Sequence, residues 1–161
     1  MNSFREKTLR GLHAGGFHRI AYAEWGPEDA DRTVVCVHGL TRNSHDFDEL
    51  APALAAEGFR VVCPDIAGRG RSGRLIAAAS YAFPQYLADM TALVARLDVE
   101  QVYWVGTSMG GLIGMMLAAQ PDTPVARLVL NDVGAFMPAT ALQAIASYGV
   151  EEPEFDDIAA L

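Results

Sequence analysis

Four short, nearly continuous apolar runs constrain the fold: Val34-Val35-Cys36-Val37, Arg60-Val61-Val62-Cys63, Val102-Tyr103-Trp104-Val105 and Arg127-Leu128-Val129-Leu130. Runs with no polar alternation read as strands covered on both faces, which is the situation of a parallel sheet flanked by crossover helices. The stretches between them have helical spacing. Leu50, Ala51, Leu54 and Ala55 form one short helix, with Pro52 in its first turn and Gly58 placed to end it. Pro84 opens a second, whose Leu87, Met90, Val94 and Leu97 form one apolar stripe, and Asp98 to Gln101 turns the chain into the next strand. A third follows Ser108 and stops before Pro121. Successive β-α-β crossovers of this kind define an α/β domain.

Ahead of these runs, Thr8 to Leu12 and His18 to Trp25 mix polar and apolar positions around the turn signal His13-Ala14-Gly15-Gly16. The pattern predicts an antiparallel hairpin of two edge-type strands. After Asn131 the character changes, to a helix expected over 138–147 and an acidic tail from Glu151 to Asp157.

Composition narrows the partners. A net charge of -8 repels nucleic acid and anionic membranes alike, which leaves a small molecule as the expected substrate. Met1 to Lys7 lacks the apolar run of a signal peptide, and Gly110 to Ala119 is too short to span a bilayer, so a cytoplasmic location is the expectation. Cys36 and Cys63 lie inside strand-like runs and read as buried free thiols without chemistry.

Ligands bind beyond the C-terminal ends of strands in open parallel sheets, and three such ends are distinctive here. After Val105 comes Gly106-Thr107-Ser108-Met109-Gly110-Gly111, a Gly-x-Ser-x-Gly nucleophile elbow with a strand before it and a helix after it. A serine on so tight a turn leaves no room for Cβ atoms two residues to either side, hence Gly106 and Gly110. The helix start behind Ser108 favours the negative charge that develops in acyl transfer. A serine that merely caps a helix is the plainer alternative.

The strand at Val37 ends in His38-Gly39-Leu40-Thr41, and the strand at Cys63 in Pro64-Asp65-Ile66-Ala67-Gly68-Arg69-Gly70-Arg71-Ser72. With these motifs in this order, residues 17 to 135 resemble the α/β-hydrolase family. The resemblance implies a mostly parallel sheet with an N-terminal antiparallel hairpin and crossover helices. It implies that Ser108 is the nucleophile and that the N–H groups of Leu40 and Met109 form an oxyanion hole. His38 and Gly39 then mark the oxyanion loop, His38 as a brace rather than a base, and Asp65 holds its own turn through backbone N–H groups. That turn lacks the Lys-Ser/Thr ending and the glycine spacing of a phosphate cradle. Serine at the elbow separates the chain from the aspartate-nucleophile dehalogenases and epoxide hydrolases and leaves carboxylesterases, lipases, lactonases, C–C bond hydrolases and perhydrolases. No cofactor and no metal are implied.

A serine hydroxyl needs a base, and the family order is Ser, then Asp or Glu, then His. All four histidines, His13, His18, His38 and His45, precede Ser108. The resemblance therefore implies a chain truncated before its last strands and its catalytic histidine, with residues 1–135 the N-terminal part of the hydrolase core and 136–161 the start of a cap. The 161 residues alone are expected to be inactive, and the apolar strand at Leu128 to Leu130 to invite self-association as an uncovered edge. Asp132, after the last strand, is either the triad acid or an Asx-type turn residue, and the turn is the preferred reading. The rival to an ester-cleaving enzyme is a hydrolase-fold binding protein without a complete triad; a strained serine has no use in such a protein.

Overall fold

A computed structural model of the chain describes residues 4–136, 138–140 and 143. Most of the helix expected over 138–147, the acidic tail and most of the segment assigned to a cap lie outside these residues.

The hairpin consists of β1 (Arg5–His13) and β2 (Gly16–Trp25), antiparallel, with His13 opposite Gly16 across the Ala14-Gly15 turn. The four apolar runs are β3 (Thr33–Val37), β4 (Arg60–Pro64), β5 (Val102–Thr107) and β6 (Val125–Asn131). Between them run α1 (Leu50–Ala56), α2 (Phe83–Leu97) and α3 (Met109–Ala118). All six strands form one sheet in the order β1-β2-β4-β3-β5-β6, parallel from β4 to β6. Gly58 and Asp98, both with positive φ, end α1 and α2 where the sequence placed the breaks.

One expectation is corrected. Only β1 is an edge strand of the hairpin; β2 is interior, because its second half pairs antiparallel with β4 from Tyr22 opposite Pro64 to Trp25 opposite Val61. Ile20 to Trp25 is accordingly buried. The join is also ionic. Glu24 is fully buried, and its carboxylate meets Arg5 Nη2 at 2.9 Å, Lys7 Nζ at 2.9 Å and Arg60 Nη2 at 3.0 Å. Burial alone pushes this carboxyl up, but hydrogen bonds from the three cations outweigh it and hold it below the usual range. The alternation seen in the sequence of β2 thus hides a charge that staples β1, β2 and β4 together.

Helices cover both faces of the sheet except at its edge strand β6, which the sequence reads as covered but which is largely exposed beyond Val125. On one face, Met90, Leu93, Val94 and Leu97 of α2 and Ile113 of α3 pack on Val35, Val62 and Trp104. On the other, Ala51 of α1 and Phe47 pack on Val34, Cys36, Val61 and Cys63. Each aliphatic side chain so buried contributes roughly 1.5–3 kcal/mol. Both thiols are free, and burial pushes that of Cys63 well above its ordinary value, which leaves it unreactive.

Connectivity positions the site. From β3 the chain goes to β4 on one side, and β5 then returns to pair with β3 on the other. Such a reversal opens a crevice at the C-terminal ends of the two strands, here those of β3 and β5.

Candidate functional site

The strand ends bring His38-Gly39-Leu40 and Ser108 together. Ser108 lies between β5 and α3 with φ 48° and ψ -114°, a conformation that L-residues rarely adopt. Its neighbours show why the turn is so tight. A Cβ on Gly106 would lie 2.5 Å from the Gly110 carbonyl, and a Cβ on Gly110 would lie 2.0 Å from Val37 O. α3 therefore starts in backbone contact with the end of β3. Trp104 Nε1 donates to Gly110 O at 3.0 Å and pins the first turn from below. Behind the serine, Ser108 O accepts from Gly111 and Leu112, and Ser108 N–H donates to Asn131 O at 2.9 Å.

The loop after β3 is held by its histidine. His38 is fully buried; Ile66 N–H donates to its Nε2 at 3.0 Å, and Nδ1 meets Gly39 O at 2.7 Å. An Nε2 that accepts requires the proton on Nδ1, so the ring is neutral and Nδ1–H donates to Gly39 O. Burial lowers its basicity, against the opposing pull of that hydrogen bond. Arg42 N–H donates to the same Gly39 O at 3.2 Å. Because the peptide is planar and trans, holding this carbonyl from two sides aims the Leu40 N–H the opposite way. Among the described residues neither Leu40 N–H nor Met109 N–H, at the first position of α3, has a hydrogen-bond partner. Arg69 Nε donates to Leu40 O at 2.9 Å and holds the loop from its other side. Gly39 stands between loop and serine: a Cβ on it would be 3.7 Å from Ser108 Cβ.

Asp65 sits at the base of the neighbouring turn, buried, with Oδ1 accepting from Ser44 N–H at 2.7 Å and Oδ2 from Arg71 N–H at 2.9 Å. Burial raises its carboxyl, yet these N–H groups and the Arg71 charge hold it below the usual range. The glycine of that turn with φ 49°, Gly70, packs directly on the Asp65 carboxylate.

Asp132 follows β6 with φ 57°, exposed, and no hydrogen bond joins it to Ser108 or to any histidine among the described residues. Asp tolerates this left-handed conformation in turns, which is the turn reading of the residue.

Beside the strand ends opens a cleft of about 550 Å³ walled by Thr41, Arg42, Asn43, His45, Asp46, Thr107 and Asn131. Sequence reasoning missed this wall. Its one signal was the i, i+4 spacing of Arg42 and Asp46, which places opposite charges on one face of a helical turn, and the two are indeed paired at 2.7 Å. The other histidines are engaged elsewhere: His18 Nε2 meets Asp89 Oδ2 at 2.9 Å in the core, His13 Nδ1 accepts from Gly15 N–H at 3.1 Å, and His45 Nδ1 meets Asp48 Oδ2 at 2.8 Å.

Residues 32–154 match the family described as alpha/beta hydrolase fold. The chain is 56% identical over 137 residues to a 3-hydroxybutyrate-oligomer hydrolase of Cupriavidus necator, covering 85% of this chain and 46% of that protein. It is 34% identical over 140 residues to a bifunctional esterase/perhydrolase of Acinetobacter calcoaceticus, covering 86% of this chain and 49% of that protein. The chain thus spans about half the length of these curated relatives. The crystal structure of an alpha/beta hydrolase from Novosphingobium aromaticivorans superposes with a TM-score of 0.82 at 36% identity, over 92% of this chain and 50% of that one. The family match runs through every strand from β3 to β6 and through both turns of the site, and the chain belongs to the alpha/beta hydrolase fold family.

Proposed function

We propose that this chain carries the nucleophile and the oxyanion hole of a serine hydrolase that cleaves an ester bond through an acyl-enzyme. The observation that carries the proposal is the backbone of Ser108, held at φ 48° and ψ -114° by contacts that admit only glycine at 106 and 110. Strain of this kind costs roughly 1–3 kcal/mol, and it serves a purpose when it presents a hydroxyl at a strand end.

In this reading Ser108 Oγ attacks the ester carbonyl while its proton passes to a base. The carbonyl oxygen becomes an oxyanion between the N–H groups of Leu40 and Met109, neither of which has a hydrogen-bond partner among the described residues. Collapse of the intermediate breaks the bond to the alcohol oxygen, which leaves with the proton, and water later releases the acid from Ser108 by the same route. His38 cannot be the base, since both ring nitrogens are committed, Nδ1 to Gly39 O in its own loop and Nε2 to Ile66 N–H of the neighbouring turn. The role falls to a histidine outside these 161 residues, and Asp132 is read as a turn residue rather than as its partner.

The substrate class follows from likeness. At 56% identity to a 3-hydroxybutyrate-oligomer hydrolase, the proposed substrate is an oligomer of 3-hydroxybutyrate, whose repeating bond is an ester. A polar cleft suits this better than a fatty acyl chain. The test is Ser108→Ala in the complete protein, assayed on the 3-hydroxybutyrate dimer: kcat is expected to fall about 10⁴-fold or more with the fold intact. Retained turnover would sink the proposal.

A further inference from the structure

We infer that Arg42 is a specificity-determining residue, which recognises a carboxylate on the substrate through the free edge of its guanidinium. The inference rests on the ester-hydrolase reading of Ser108 and names what that site selects. Arg42 lies near the serine: a Cβ on Gly39 would be 3.7 Å from Ser108 Cβ and 3.7 Å from Arg42 Cγ. The two side chains therefore approach the same residue. Arg42 N–H is anchored on Gly39 O, so the start of this side chain is fixed by the same carbonyl that sets the Leu40 N–H.

The guanidinium is oriented, and only half used. Asp46 Oδ1 takes both Nε, at 2.9 Å, and Nη2, at 2.7 Å, on one edge. Among the described residues Nη1 has no partner, so Nη1 and the second hydrogen of Nη2 present a two-pronged edge. That edge fits the two oxygens of a carboxylate. Exposure favours the same group. Both residues line the cleft, and the Arg42 side chain is 67% exposed against only 18% for Asp46, so the cation is the more accessible member of the pair. Arg42 is the one arginine or lysine among the described lining residues, beside His45 and Asp46. On a chain of net charge -8, an anionic substrate is repelled at long range, and a local cation is what admits it.

A free 3-hydroxybutyrate dimer carries such a group, since its terminal carboxylate lies a few bonds from the scissile ester. Hydrolysis releases 3-hydroxybutyrate as the alcohol product with that carboxylate attached. Its methyl ester keeps the scissile bond and removes the charge.

The experiment compares the free dimer with its methyl ester in the complete protein. In Arg42→Gln the ratio of kcat/KM for free dimer to that for methyl ester is expected to fall about 10- to 100-fold, mostly through KM, as the loss of a charge-assisted pair requires. Arg42→Lys keeps the charge without the fork and should fall in between. Inhibition by 3-hydroxybutyrate should weaken in parallel. A ratio unchanged in both variants overturns the assignment. Ser108→Ala on the methyl ester separates the two readings: if it is inactive while the Arg42 ratio is unchanged, only the carboxylate assignment fails. If it remains active, the serine-hydrolase reading fails as well.

Discussion

Gly110 approaches Val37 so closely that a Cβ on the glycine would lie 2.0 Å from the Val37 carbonyl oxygen, well inside van der Waals contact. Two elements far apart in sequence, the first turn of α3 and the end of β3, are thereby locked as backbone against backbone. Neither side can yield as a flexible side chain would. Gly110→Ala is expected to destabilise the protein by at least about 3 kcal/mol, the upper part of the range for overpacking. Urea unfolding monitored by tryptophan fluorescence, from the buried Trp25 and Trp104, measures it, and a loss under about 1 kcal/mol would contradict the contact.

Ser108 predicts the opposite sign. Its φ of 48° with ψ -114° suits glycine alone, so Ser108→Gly removes strain while also removing the hydroxyl. Stability should rise by about 1 kcal/mol after the greater freedom of the unfolded glycine is discounted. Turnover by the complete protein should vanish. A Ser108→Gly variant less stable than the parent would show that the conformation is relaxed.

His38 gives the loop a pH dependence. Burial depresses its folded pKa below the ordinary value of about 6.5, so between the two values the unfolded chain binds more protons than the native one. Stability therefore rises with pH across this window and is lost as pH falls below about 6.5. The contribution to the slope is at most about 1.4 kcal/mol per pH unit. Stability curves from pH 7.5 to 5 should be flatter in His38→Gln than in the parent, and equal slopes would mean that the ring accepts a proton in place.

Asp132 separates two readings by size of effect. As a turn residue at φ 57°, it should tolerate Asp132→Asn with less than about a tenfold change in kcat in the complete protein. A triad acid would lose about 10⁴-fold by mis-setting the histidine tautomer. A loss of that order without a loss of stability reassigns the residue.

Much of the site was legible because its constraints are local. Gly106, Ser108 and Gly110 announce a strand-turn-helix at fixed spacing, and His38-Gly39 and Asp65 each follow an apolar run by a residue or two. The cleft wall was not legible. Asn131 and Thr107 carry no motif, and they face Arg42 only because β6 pairs with β5 and β5 with β3. Glu24 was hidden for a related reason: in sequence it is one polar residue in a strand, and its three cations come from β1 and β4.

By itself the sequence determined which segments are strands and helices and where the tight turns fall, since hydrophobic period, glycine and proline act over a few neighbouring residues. Strand order, the interior place of β2 and the aim of the Leu40 N–H were decided only by the tertiary structure. Each depends on a partner far away in the chain: β4 for β2, and Ile66, through the His38 ring, for the Gly39 carbonyl. Pairings across such distances are set by the burial of all the strands at once, and no local pattern encodes them.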